Sequence, residues 1–181
     1  PTSVFNLADA ELQRGETRRA LQLAAAVARN RSVLRSPVVA ASAPSLVATC
    51  YALLGELDAA RAWLPEAARA AATLAVEVAL VPESIVACRE ARFAHVVSRC
   101  RERRRAIEAT LAGDDLRTLR LLRAFALAAL PGDEVAGARE RQEARLLARP
   151  GGPGECDHLA RHWPELSVFL RELEAERDLG G

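Results

Sequence analysis

Apolar residues recur along this chain at helical spacing. Leu7, Ala8 and Leu12 form one inner stripe, and Ala20, Leu21, Ala24, Val27 and Ala28 form a second, at steps of three and four. The first stripe predicts a helix over residues 3–14, with Ser3 as N-cap and Gly15 as its left-handed end. A second helix starts near Thr17. A loop over 30–43, rich in Ser and Arg, is broken by Pro37. Pro44 opens a helix over 44–54, which Gly55 ends. The next helix starts near Asp58 and runs past Ala72, bent by Pro65. Pro82 marks a fresh start. Residues 83–111 contain no breaker and predict one long helix. A turn over 112–115 precedes a helix over 116–130, the most apolar and therefore central. Pro131, Gly132 and Asp133 form another turn, followed by a polar outer helix over 134–148. A Gly/Pro loop covers 149–154, and a final helix covers 156–178. Strand signals are confined to Val38-Val39 and 76–81, so the chain reads as all-α with about eight helices.

One phrase is written twice. Gly15-Glu16-Thr17-Arg18-Arg19-Ala20-Leu21 returns as Gly55-Glu56-Leu57-Asp58-Ala59-Ala60-Arg61. Small residues stand at matching places before and after each glycine: Ala8 and Ala48, then Ala20 and Ala60. Small side chains let paired helices touch, larger ones such as Tyr51 and Leu64 fill the space between pairs, and glycine permits the reversal. In this order of small, large and glycine the chain resembles the tetratricopeptide repeat, a helix–turn–helix unit of about 34 residues. One copy runs over 44–71. Another runs over 4–31, with Glu11 where the family prefers an aromatic and Ala24 where it prefers a larger residue. A third candidate centres on Gly132, with Ala124, Ala128 and Ala144 in place and Phe125 at a site the family keeps small. The proline that usually closes a repeat is missing from the first two.

The resemblance implies a single domain over 1–181 of stacked antiparallel helix hairpins, an α-solenoid or right-handed superhelix. Residues 1–73 would be two clearer repeats, 82–148 a long helix plus a degenerate repeat, and 156–178 a capping helix. It also implies that the first helix of each pair lines a concave groove. The family's groove positions fall on Phe5, Asp9, Leu12 and Gln13, then on Ser45, Thr49 and Leu53. The family's clamp of Lys and Asn for a peptide's terminal carboxylate is not matched, since Phe5, Ser45, Asp9 and Thr49 stand there. The implied function is a protein–protein interaction module that binds a protein or peptide segment. The alternative is a regulatory region of a longer transcriptional regulator, sensing a small molecule between helices. The absence of an initial Met in the sequence fits a processed chain or a piece of a longer one.

Composition narrows the partners. The formal net charge is +1, so no global field draws the chain to nucleic acid or to an anionic membrane. Every basic residue is Arg. The four cysteines, Cys50, Cys88, Cys100 and Cys156, are far apart with no CxxC. They read as buried thiols in a reduced, cytoplasmic setting. No apolar run is long enough to span a bilayer.

Candidate chemistry is sparse. Arg99, Arg101, Arg103, Arg104 and Arg105 form the densest basic run, with Arg117, Arg120 and Arg123 following. On a helix the run points in nearly all directions, aromatic residues are not interleaved, and acids lie nearby. A solvated face is favoured over a binding patch, and nucleic acid is not the expected partner. Cys156, His158 and His162 are the one metal-like group, with both histidines on one helical face, but a closed site needs a fourth ligand at recognisable spacing. The paired carboxylates Asp114-Asp115 and Asp133-Glu134 read as helix caps. No nucleophile–base signature or phosphate loop is present. The expectation is a non-enzyme with no metal and no cofactor.

Overall fold

The computed structural model describes residues 2–30, 34–131, 138–148 and 156–179, with side chains to 176. Eleven helices and no strand occur among the described residues. They are α1 (Thr2–Gln13), α2 (Thr17–Arg29), α3 (Pro37–Leu53), α4 (Leu57–Ala72), α5 (Leu80–Arg89), α6 (Phe93–Glu102), α7 (Arg104–Thr110), α8 (Gly113–Ala129), α9 (Ala138–Ala148), α10 (Asp157–Ala160) and α11 (Pro164–Leu179). None of the described helices is long and apolar enough to cross a membrane. The sequence reading treats 1–181 as one domain. The chain divides into two compact units, Pro1–Val86 and Ala87–Gly181, and the division falls within α5.

In the first unit, α1 packs on α2, α2 on α3, and α3 on α4. Each pair joined by a repeated phrase reverses through one left-handed residue. Gly15 has φ 78° and Gly55 φ 80°. Around Gly15, the Gly15 N–H donates to the Leu12 carbonyl at 2.8 Å and the Glu16 N–H to the Glu11 carbonyl at 2.9 Å. Around Gly55 the same two bonds run to Ala52 and Tyr51, at 3.2 and 3.0 Å. This pair of bonds satisfies carbonyls that a helix end otherwise leaves open. The next residues also match, Glu16 at φ −82°, ψ 54° and Glu56 at φ −81°, ψ 64°. Ala8, Ala20, Ala48 and Ala60, the small positions of the repeat, are fully buried.

Glu11 is buried although it is charged. Its carboxylate lies 3.8 Å from Arg14 and 3.6 Å from Arg19, so the charge enters the interior with two cations beside it.

Several sequence expectations need correction. The third helix begins at Pro37, not Pro44. Ser36 accepts the Val39 N–H at 3.4 Å as N-cap, and Pro37 takes the first turn, where its missing N–H costs nothing. Pro44 then sits inside the helix, and the added turns bury Val39, Ala41 and Ala43. That outweighs the hydrogen bond Pro44 forgoes. In this unit α3 is the central helix, buried on nearly all sides from Val39 to Leu53.

The single helix expected over 83–111 is three helices. α5 ends in a turn at Ala91, whose φ is 56°. The Ala91 N–H donates to Cys88 at 3.0 Å and the Arg92 N–H to Ala87 at 2.8 Å. Arg92 has φ −84° and ψ 51°. This is the turn of Gly15 and Gly55 with alanine in the left-handed place, invisible to a search for glycine. Measured from Ala91, Ser84 and Val96 fall where the alanines of the earlier copies fall, and both are buried. A further interruption at Arg103 (φ −101°, ψ 6°) separates α6 from α7. The third repeat expected around Gly132 falls partly on 132–137, outside the described residues, as does the loop over 149–154.

In the second unit, α8 packs on α6 and α9, and α10 on α11. Phe125 of α8 is the hub. Its ring meets Phe93 at 5.9 Å, Trp163 at 5.5 Å and Phe169 at 5.6 Å, all edge to face. Such pairs contribute about 0.5–1.5 kcal/mol each beyond burial. This explains why no small residue stands there. Arg141 of α9 donates to the Leu127 and Leu130 carbonyls at 2.9 and 3.1 Å, closing the end of α8. Arg145 lies over the Phe169 ring at 5.1 Å and pairs with Glu176. Arg141 thus ties α9 to the end of α8, and Arg145 ties it to α11. The last helix is also split: α10 stops at Ala160, and α11 starts afresh at Pro164.

The left-handed turns make a direct test. Ala91→Gly relieves backbone strain and should stabilise the fold by about 0.5–1 kcal/mol, while Gly55→Ala should cost about 1 kcal/mol. Urea unfolding of both variants measures the two signs. Equal and opposite results to these would show that the turns do not limit stability.

Candidate functional site

The groove positions read from the repeat lie on α1 and α3, which touch. Asp9 is exposed, while Phe5 and Gln13 are half-buried. Leu12, Ser45, Thr49 and Leu53 are buried, at 5, 5, 7 and 1% exposure. Those four belong to the interior in this structure and offer nothing to a partner, which corrects their placement on an open groove. The reason is the extension of α3, which makes it a central helix instead of a groove wall. The Ser45 hydroxyl is buried with no hydrogen-bond partner.

The basic run is dispersed by the break at Arg103. Arg99 lies 3.6 Å from Glu102 on its own helix. Arg103 sits at the junction, and Arg105 is exposed. Only Arg101 and Arg104 turn toward a common site, a cavity of about 600 Å³ formed by α6, α7, α8 and α9. The helices explain its walls. On α8, Leu116, Leu119, Arg120 and Arg123 fall at i, i+3, i+4, i+7 and line it as one stripe. On α9, Arg139, Glu140, Glu143 and Leu147, at i, i+1, i+4, i+8, line the facing wall. Cys100 and Ile107 complete an apolar floor with the leucines. The opposite side of α8 carries Phe125, so one helix serves both the aromatic hub and the cavity.

Charge in the cavity is unevenly matched. Glu140 is clamped between two arginines. Arg101 reaches it through Nε at 3.0 Å and through its terminal nitrogen, and Arg123 Nη2 lies at 2.7 Å. The Arg101 hydrogen bond, aided by Arg123, holds the Glu140 carboxyl down at about 2, against an ordinary 4.5, despite the opposing effect of burial. Arg104 stands between Glu108 at 3.0 Å and Glu143 at 3.8 Å. Arg120 and Arg139 have no ion-pair partner among the described residues, and the buried Nε of Arg123 has no acceptor. Five arginines thus face three glutamates, and every glutamate is engaged.

The sequence identifies Arg101 and Arg104 as members of a basic run, and Arg120 and Arg123 as its neighbours. It misses Arg139, Glu140 and Glu143. The charged pattern of α9 at four-residue steps was a usable signal, but nothing local ties it to α6, since Arg101 and Glu140 are 39 positions apart.

The remaining chemistry stays separate. The four cysteines are free and buried. Burial pushes the thiols of Cys50 and Cys88 up to about 12 and that of Cys156 up to about 11, so these three are protonated at neutral pH. His158 is buried, which lowers its pKa, whereas His162 is exposed beyond the end of α10. The break at 161–163 removes the shared helical face expected for the two histidines. No group of three or more potential metal ligands occurs among the described residues.

Set against known families and proteins, the chain matches no family model, no curated protein and no solved structure.

The Glu140 clamp has a pH signature. A carboxyl with a depressed folded pKa contributes stability above its unfolded pKa, and that contribution is lost as pH falls through the folded value. The wild type should therefore lose stability between about pH 4.5 and 2 by more than Glu140→Gln does, which thermal melts across this range would measure. Parallel loss in both proteins would show that the clamp does not couple to folding.

Proposed function

We propose that this chain is a binding module built from tetratricopeptide-like helix hairpins, and that its ligand is a small molecule held in the α6–α9 cavity. The observation that carries this reading is the cavity itself. Its volume of about 600 Å³ lies within the usual range for small-molecule sites, about 300–1,000 Å³. Its walls combine an apolar floor of Cys100, Ile107, Leu116, Leu119 and Leu147 with eight charged side chains, a more polar lining than most small-molecule sites have. The repeat reading rests on the turn geometry shared by Gly15, Gly55 and Ala91, spaced slightly wider than the family's unit of about 34 residues. Binding is favoured over catalysis because Glu140, with its carboxyl held near 2 and both neighbouring cations engaged, is a poor proton acceptor at neutral pH. A ligand-responsive element of a longer regulator is the biological role that fits such a module.

A second reading keeps a protein or peptide as partner. It is favoured by the outer side of α1, where Val4 and Leu7 are 37 and 40% exposed beside Phe5, Asp9 and Gln13. Binding there would use the accessible part of the expected groove.

Leu116→Trp, which fills the cavity from a half-buried wall position, separates the two. Native mass spectrometry of protein purified from its own host should reveal a retained small molecule in the wild type and its loss in the variant, with the helical circular dichroism unchanged. Retention at the same level in Leu116→Trp, or a stable protein partner released by Leu7→Glu, would move the function to α1.

A further inference from the structure

We infer that the α6–α9 cavity selects an amphipathic organic anion, an apolar body carrying a single anionic head group. This rests on the cavity being the ligand site and adds the chemical class of the ligand. The argument is one of unmatched donors. A half-buried guanidinium such as that of Arg120 needs acceptors, and the cavity's own carboxylates are already engaged. Glu140 is shared by Arg101 and Arg123, and Arg104 holds the other two glutamates. Half-buried Arg120 and exposed Arg139 line the same space with no carboxylate partner among the described residues.

A neutral apolar ligand would cover the floor and cut the Arg120 donors off from water. A cationic ligand would meet an excess of like charge. A ligand with one carboxylate, sulfonate or phosphomonoester group supplies the missing acceptors, and arginine can grip such a group through two parallel hydrogen bonds. The Arg104 cluster, one cation between two carboxylates, disfavours an anion. The head group is therefore directed to Arg120, Arg123 and Arg139, and the body lies over the leucines. A polyphosphate is disfavoured because its several charges exceed the two unpaired arginines.

A matched pair of fluorescent probes tests this on the full chain. 8-Anilinonaphthalene-1-sulfonate and N-phenyl-1-naphthylamine share an arylamine body and differ by one sulfonate. The sulfonate probe should bind at least about tenfold more tightly, a preference worth one charge-assisted contact. Arg120→Gln together with Arg139→Gln should reduce that preference to within about threefold while leaving the neutral probe's affinity unchanged. The single variants serve if the double variant is less stable. Equal affinities for the two probes in the wild type, or a preference that survives both substitutions, would overturn the anionic assignment and leave the cavity as a site for neutral ligands. If neither probe binds, or if both bind Leu116→Trp as well as the wild type, the cavity reading falls with it.

Discussion

A helix can reverse tightly only where one residue accepts a left-handed backbone. The carbonyls of the last turn have lost their partners, and two amides just past the helix end can reach them only when φ is positive there. This chain meets that condition at Gly15, Gly55, Ala75 and Ala91. Glycine accepts it freely, and alanine at a cost of about 1–2 kcal/mol. Because the turn is the same length after α1, α3 and α5, it fixes how far each helix start lies from the preceding helix end. Positions before and after the turn then keep their register from copy to copy. That is why alanine, serine and valine at those positions are all buried although the residues themselves differ.

The two units use that register differently. In the first, alanines at 8, 20, 24, 48, 60 and 67 are fully buried, and helix axes can come close with few large side chains between them. In the second, three of the six other aromatic side chains gather around Phe125 on one side of α8. The other side of α8 presents leucine and arginine, and arginine stems can cover apolar surface while their charged heads meet carboxylates of α9. Charged side chains line the space between α8, α9, α6 and α7 where apolar ones would close a core. The cavity follows from putting the large apolar groups on one face of a helix and the cations on the other.

Helical class, the first two reversals and most of α1, α2 and α4 are legible in the sequence because glycine and the three-to-four spacing signal them directly. The start of α3 is not, because Pro37 and Pro44 are equally good first-turn residues. The choice between them is made by burial of Val39, Ala41 and Ala43, a tertiary effect. The reversal at Ala91 is hidden because alanine ranks highest in helix propensity and gives no warning of a left-handed turn. The site is half legible. Arg101 and Arg104 stand out as part of a run, but that run counts as a solvated face until Glu140, far away in sequence, is brought against it. Burial also removes Ser45, Thr49 and Leu53 from the expected groove, since their types suit either a groove or a core wall.

The clamp around Glu140 bears on whether the cavity binds or reacts. A carboxylate that accepts from two guanidinium groups is a weak base. The group cannot readily exchange protons with a ligand, so its contribution is geometric. It holds Arg101 and Arg123 in place and so frames a wall on which Arg120 and Arg139 are left with donors to offer. Rotamers fixed in advance lose less entropy when a ligand arrives, which favours affinity for a charge placed correctly over affinity for apolar surface alone. Such a frame suits recognition of a ground-state anion.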